Sequence, residues 1–263
     1  MPLIQDDAVV IGRLDFSETS QVLVLFAREH GKVRAIAKGV KRGTKSRFAV
    51  GIDLLDAGRV VVSSRAERAA RLATLTEWKQ TRCFSGLRER LFRLYAAQYA
   101  AEVLAHLTED WDPHPPLFDA LLVTLDVLTH AEDPLPTITR YQVALLTAIG
   151  SMPRFDECVL CGESKDLTHF ASLQGGTICR NCEPGQVEKR EISARSLDTL
   201  RSLCGRSDGP STDPRDRSAD VDAGPAHHLG AFDILDYHIS HLMGREPTLA
   251  SLLVRPADRR RAQ

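Results

Sequence analysis

The amino-acid sequence predicts an α+β multidomain protein: a small N-terminal five-stranded β-barrel, then an all-α domain that carries a four-cysteine module. Three observations predict it. Up to Lys79 the apolar residues come in short β-branched runs between charged turns. After Lys79 they recur at three-and-four spacing. Four of the six cysteines form two Cys-x2-Cys pairs. With 263 residues, 43% of them hydrophobic, the chain has material for about two domains.

The strands are legible first. Val9-Val10-Ile11, Val22 to Phe26 and Val60-Val61-Val62 are apolar runs with β-branched content, bounded by turn residues. His30-Gly31 predicts a hairpin between the second run and Lys32 to Ala37. In that last segment apolar and basic residues alternate, so one face is core and the other basic. Phe26 ends an apolar run and is expected in the core. Ile52 to Ser63 and Arg71 to Lys79 bring the count to about five strands without an intervening long helix. That pattern suits a closed barrel of OB-fold type over residues 1–80, with an SH3-like barrel as the alternative.

The helices follow. Leu87, Leu91, Leu94, Tyr95, Tyr99, Val103 and Leu107 have amphipathic spacing, and Trp111-Asp112-Pro113 ends that helix. Pro116 to Thr129 predicts a second. Pro136 to Ile149 predicts a third, with Pro in its first turn and Gly150 just past its end. Ser193 to Leu203 and Gly230 to Leu242 read as further helices. Between them residues 205–226 are rich in Gly, Pro, Ser, Asp and Arg, as expected of a disordered loop. The layout is therefore a barrel at 1–80, helices at 81–154, a cysteine module at 155–185, helices again at 186–255 and a basic tail at 256–263. No internal repeat is visible.

Composition excludes some classes. No run of roughly 18 apolar residues could span a bilayer, and Met1 to Asp7 lack the regions of a signal peptide, which predicts a cytoplasmic protein. Net charge is -1 with a pI near 6.8, so the whole chain gives no sign of a polyanionic partner. The distribution does. Residues 1–80 carry fourteen Lys and Arg against nine Asp and Glu, and from Arg28 to Arg47 eight basic residues face one acid, Glu29.

Cys158-Val159-Leu160-Cys161 and Cys179-Arg180-Asn181-Cys182 stand seventeen residues apart, with Gly162, Gly175 and Gly176 between them. A two-residue spacer lets both thiolates of a pair point at one ion, and an intervening hairpin brings the second pair to complete a tetrahedron. This is zinc-ribbon spacing. Four sulfurs leave no open coordination position, so a zinc ion here would be structural and would not activate water. Two disulfides, a redox dithiol or an iron-sulfur cluster are the alternatives, but the surroundings lack a thioredoxin-like βαβ pattern and the spacing differs from ferredoxin runs. Between Cys161 and Cys179 the only Lys or Arg is Lys165, which is sparse for a module that reads DNA. The expected role is to cross-link the helical domain where its local core is thin.

Catalytic patterns are missing from the sequence. Gly39 to Ser46 has three residues between its glycines and Thr44 before Lys45, which departs from a phosphate-binding loop. His238 and His241 share a helix face, but no carboxylate stands at a ligand spacing, so they read as core or surface histidines. The chain is expected not to be an enzyme.

Lys32, Arg34, Lys38, Lys41, Arg42, Lys45 and Arg47 lie on one predicted strand and the loop after it, where an OB barrel presents its nucleic-acid face. DNA phosphates are their natural partners, and a solvated charged loop is the plain alternative. Only Phe16, Phe26, Phe48 and Trp78 are aromatic in the first 80 residues. The contacts are therefore expected to be mostly to phosphate, with little sequence preference and steep salt dependence.

The order of parts resembles the RecO family of bacterial DNA repair. Leu25-Phe26, Gly31-Lys32, Ala37-Lys38-Gly39 and Ser46 look like that family's hairpin and basic loop. Leu145-Leu146, Ile149-Gly150, Pro153, Cys158-x2-Cys161-Gly162, Phe170, Gly175-Gly176 and Cys179-x2-Cys182 look like its cysteine segment, and His238-x2-His241-Leu242-x-Gly244-Arg245 like a segment near its end. Gly51 to Leu55 departs from the family's Pro-Phe, and residues 205–226 look like an insertion. The resemblance implies a recombination mediator with an OB-fold domain, a helical domain and one zinc ion. It implies binding of single- and double-stranded DNA and annealing of complementary strands. The partners it implies are RecR, the SSB C-terminal tail and, indirectly, RecA, with association with the bacterial nucleoid during repair. An RNA-binding or transcription-associated OB-fold and zinc-ribbon protein is the rival reading.

Overall fold

The computed structural model describes residues 3–40, 52–63, 72–205 and 225–254, with the backbone alone at 225–227. Five strands, β1 (Leu3–Asp15), β2 (Gln21–Ala27), β3 (Gly31–Ala37), β4 (Ala57–Ser63) and β5 (Ala73–Arg82), close a barrel in the order β1-β2-β3-β5-β4. Every pairing is antiparallel except β3 with β5. This is the expected OB-fold barrel. Its interior holds Val10, Leu23, Leu25, Val33, Val60, Val62, Leu75 and Trp78, together with small residues such as Ala35 and Ala37. The strand expected from Ile52 begins only at Ala57. Residues 52–56 instead form a turn in which the Asp53 N–H donates to Asp56 Oδ2 at 3.2 Å and Leu55 takes φ +69.

The chain then becomes helical: a 3-10 turn (Ser85–Glu89), α1 (Leu91–Leu107), α2 (Pro115–Leu128), α3 (Leu135–Ala148), α4 (Ala194–Cys204), α5 (Pro225–Met243) and α6 (Ala250–Leu253). The helix expected to run on from Leu87 is broken at Arg90, which is extended at φ -138. The cause is packing. Gly86 lies against Thr129, where a Cβ would stand 2.7 Å from the Thr129 carbonyl oxygen. Just beyond, the buried Arg93 guanidinium donates to Thr129 O at 2.7 Å and Ala131 O at 2.8 Å, capping the carbonyl end of α2. The Ser193 hydroxyl accepts from the Ser196 N–H at 3.1 Å and so opens α4 as an N-cap. Residues 206–224 of the expected loop and all of the expected tail at 256–263 lie outside the described residues. Pro225 and Ala226, assigned to that loop from composition, already belong to α5.

Helices α1, α3 and α5 are joined by a buried polar chain. Gln142 Nε2 donates to Tyr99 Oη at 2.7 Å, and Tyr99 Oη donates to Asp236 Oδ1 at 2.8 Å. Burial pushes the Asp236 carboxyl up to about 6. A carboxyl raised in the folded state stabilises the fold when protonated, and that contribution is lost as pH rises through about 6. Asp236→Asn keeps an acceptor for Tyr99 and removes the charge. It is expected to raise stability at pH 7 by about 1 kcal/mol and to lose that advantage near pH 4, as read by urea unfolding at the two pH values.

The outer wall of the barrel is sealed against the helices. Val9, Ile11, Phe26, Leu55 and Ala57 belong to the apolar core of α1 and α2, not to the barrel interior. Phe26 is thus buried as expected, but at this junction, 6.4 Å between ring centroids from Phe118. Beside it Arg28 pairs with both carboxylate oxygens of Asp119, at 2.5 and 2.7 Å. Gly31 has φ +66, and a Cβ there would lie 1.9 Å from Asp112 O, so no other residue fits the turn.

Candidate metal centre and nucleic-acid surface

The cysteine module is a three-stranded sheet, β6 (Leu167–Ala171), β7 (Gly176–Cys179) and β8 (Arg190–Glu191), in the order β7-β6-β8. Cys158 and Cys161 sit on a tight turn before it, closed by the Gly162 N–H donating to Cys158 O at 2.8 Å. Cys179 ends β7, and the Cys182 N–H donates back to Cys179 O at 3.1 Å. The two turns face each other because residues 154–159 run beside β7. The Thr177 N–H donates to Arg154 O and the Val159 N–H to Thr177 O, both at 2.9 Å. Gly176 allows this approach, since a Cβ would meet Arg154 O at 2.5 Å.

All four sulfurs lie within 4.8 Å of one another, and Cys161 Sγ and Cys179 Sγ are 3.7 Å apart. A tetrahedron with metal-sulfur bonds of about 2.3 Å has sulfur-sulfur edges of about 3.8 Å, whereas a disulfide needs about 2.05 Å. The thiols are unpaired, so the set fits one tetrahedral metal ion. Their electrostatics agree. Burial would push the Cys158 thiol up, but the backbone N–H groups of Cys179, Leu160 and Cys161 outweigh it and bring the thiol to about 6. Cys182 is pushed up to about 12 by its neighbours Cys161 and Cys179. Four thiolates cannot share this volume unless a cation neutralises them.

The expectation of a thin local core is not met. Phe155, Leu167, Phe170 and Ile178, with Cys158 and Cys179, are continuous with the core of α1 to α5. Phe155 and Phe170 stack with centroids 5.9 Å apart. His238 is buried edge-on to Phe170, bonded to Ser172 Oγ at 2.8 Å and Ser151 O at 3.0 Å. Both ring nitrogens are thereby engaged, and the side chain ties the module to α5. Downstream, Arg245 Nη2 donates to Glu102 Oε1 at 2.9 Å, and the Thr248 N–H and hydroxyl reach the same carboxylate. The segment from His238 to Arg245 is therefore explained by packing.

The basic positions divide. Arg34 and Lys38 are exposed on and just after β3, with Arg34 Nε 3.2 Å from Asp110 Oδ2. Lys41, Arg42, Lys45 and Arg47 lie outside the described residues. Lys32 must be withdrawn as a phosphate contact. It is only 6% exposed, and its ammonium donates to Ala105 O at 2.6 Å and Thr108 O at 2.5 Å, with Asp110 Oδ1 at 3.5 Å. The alternation that put Lys32 on the outer face was right; the carbonyl end of α1 covers that face. The register pairs Lys32 with Phe26, so the strand that buries Phe26 at the junction buries Lys32 beside it. No helix among the described residues is long and apolar enough to cross a membrane.

Two family models cover almost all of the chain: "Recombination protein O N terminal" at residues 1–84 and "Recombination protein O C terminal" at residues 88–248. The chain is 33% identical over 219 residues to the DNA repair protein RecO of Rhodopirellula baltica, covering 82% of this chain and 79% of that one. It is 31% identical over 199 residues to RecO of Bacillus pumilus, 76% of each chain. To RecO of Anaeromyxobacter sp. (strain K) it is 32% identical over 232 residues, covering 84% of this chain and 90% of the relative.

Proposed function

This chain belongs to the RecO family of DNA repair proteins, and we propose that it is a non-enzymatic recombination mediator. It binds single- and double-stranded DNA, anneals complementary strands, and works with RecR to load RecA onto single strands coated by SSB, whose C-terminal tail docks on the helical domain. The observation that carries this is the agreement of two independent parts. An OB-fold barrel carries exposed Arg34 and Lys38 at the start of the basic segment 38–47, and it matches the family over a range that includes that segment.

The mechanism is non-covalent. Arg34, Lys38, Lys41, Arg42, Lys45 and Arg47 neutralise phosphates, which lowers the repulsion between two strands and raises their local concentration. Cys158, Cys161, Cys179 and Cys182 hold one zinc ion that fixes the module and leaves it no coordination site for chemistry. The protein acts in the bacterial cytoplasm, at the nucleoid during repair.

Annealing of SSB-coated complementary oligonucleotides, with and without RecR, tests this reading; no acceleration in either case overturns it. Changing Lys38, Lys41, Arg42 and Lys45 together to Ala is expected to weaken DNA binding across sequences. It should also flatten the slope of log K against log salt by up to about 3.6, because each of the four lost phosphate contacts removes about 0.9. The check is a salt titration of duplex binding.

A further inference from the structure

The four-thiol set is not evenly covered. Cys158 and Cys179 are buried, at 1% and 2% exposure, whereas Cys161 is exposed and Cys182 half-buried. The cause lies in the two turns. Cys158 enters its turn from the continuous core, its N–H donating to Glu163 O at 2.7 Å, and Cys179 ends β7 in the same core. Cys161 stands three residues on, where the chain turns outward. Leu160 beside it is 43% exposed, and Gly162 after it, at φ +79, has nothing within 4 Å of where a Cβ would stand. One edge of the set therefore faces solvent.

Exposure matters here because a metal holds its thiol ligands as thiolates, the form that oxidants attack. Cys161 also has sulfurs at hand to resolve an oxidised thiol: Cys179 Sγ is 3.7 Å away, and the whole set lies within 4.8 Å. The second turn is in turn connected to α5. Cys182 opens the 3-10 turn Glu183–Gly185, and Lys189 Nζ donates to Glu183 O at 3.0 Å. Next to Lys189, the Glu188 carboxylate accepts from the Leu173 N–H at 2.9 Å and from the Tyr237 hydroxyl of α5.

We propose that Cys161 is an oxidation site through which peroxide-class oxidants reversibly release the metal and loosen the cysteine module from α5. This rests on the zinc reading above and adds to it. The Cys161 thiolate attacks one peroxide oxygen; an S–O bond forms, the O–O bond breaks and hydroxide leaves. A second thiolate of the set then attacks the sulfenic sulfur; an S–S bond forms, the S–O bond breaks and a second hydroxide leaves. Two thiolates have supplied two electrons, and one peroxide has been reduced to two hydroxide ions. The two thiolates left do not complete a four-sulfur set, so the ion is lost. A dithiol reductant together with zinc restores the site.

The test adds hydrogen peroxide to the zinc-loaded chain in a Cys83→Ser background, which removes an exposed competing thiol. A chromogenic chelator reads zinc release, and peptide mass mapping after alkylation reads which cysteines are oxidised. One zinc per chain should be released together with a disulfide that contains Cys161, and amide exchange in β6 and α5 should accelerate. Dithiothreitol with zinc should reverse all three. Cys161→His keeps four ligands and removes the exposed thiol, so its release should slow by about tenfold or more, since reactivity follows thiolate character and exposure. Cys182→His should release zinc at nearly the unaltered rate. A first disulfide that omits Cys161, zinc retained under peroxide, or equal release from Cys161→His would overturn the proposal. If Cys161→His takes up no zinc, the mass map of the parent chain still decides the site. A parent chain that takes up no zinc overturns the zinc reading itself, and this proposal with it.

Discussion

On the proposed zinc assignment, Cys179→Ser is expected to abolish metal binding and to unfold the segment from residue 155 to 192. Cys179 is buried at the end of β7, and its sulfur is one vertex of a four-thiol set within 4.8 Å. Structural zinc in small modules contributes about 10 kcal/mol or more of apparent folding free energy at neutral pH. A serine hydroxyl replaces a soft thiolate poorly, so most of that is lost. Because Phe155, Phe170 and Ile178 belong to the same core as α3 and α5, the damage should spread into the helical domain. Elemental analysis should fall from one zinc per chain to none, and amide hydrogen exchange should accelerate through β6 and β7. A variant that stayed metal-free and kept full protection there would show that the four sulfurs do not carry the fold. Full stability with lost DNA affinity would show that the module itself touches DNA.

Lys32→Met is expected to cost about 3 kcal/mol, read as a lower urea midpoint at unchanged slope. The methionine stem replaces the apolar part of the lysine but leaves Ala105 O and Thr108 O without their donor and Asp110 with Arg34 in place of two cations. Each buried orphan costs about 1–3 kcal/mol. Lys32→Arg should recover only part of the loss, since a planar fork does not fit a site built for a compact ammonium. DNA affinity of the folded fraction should be unchanged. A drop in affinity as large as that from changing Lys38 would return Lys32 to the phosphate-contact set.

The barrel, the main helices and the cysteine site were legible in the sequence because each rests on a local pattern. A β-branched apolar run gave β2, alternation gave β3, three-and-four spacing gave α1 to α3, and Cys-x2-Cys gave the four-thiol set. What was not legible depends on which surface meets which. Phe26 and Lys32 occupy one outward position pair, and nothing local says that the end of α1 will cover them. Arg93 reads as one more polar residue on an amphipathic helix; only the arrival of Thr129 and Ala131 makes it a cap.

The junction between the barrel and α1 and α2 also governs how the molecule responds to its ligands. With Val9, Ile11 and Phe26 inside the same core as Leu104 and Phe118, the barrel cannot melt while the helices persist, so heating should give one calorimetric transition whose enthalpy matches the van't Hoff value. In such a cooperative unit, free energy supplied at one end is felt at the other. An oligonucleotide bound to the barrel at a hundred times its dissociation constant would deepen the folded well by about 2.7 kcal/mol. That would slow the escape of the proposed zinc ion from the cysteine module to a chelator, by whatever part of the escape proceeds through global unfolding.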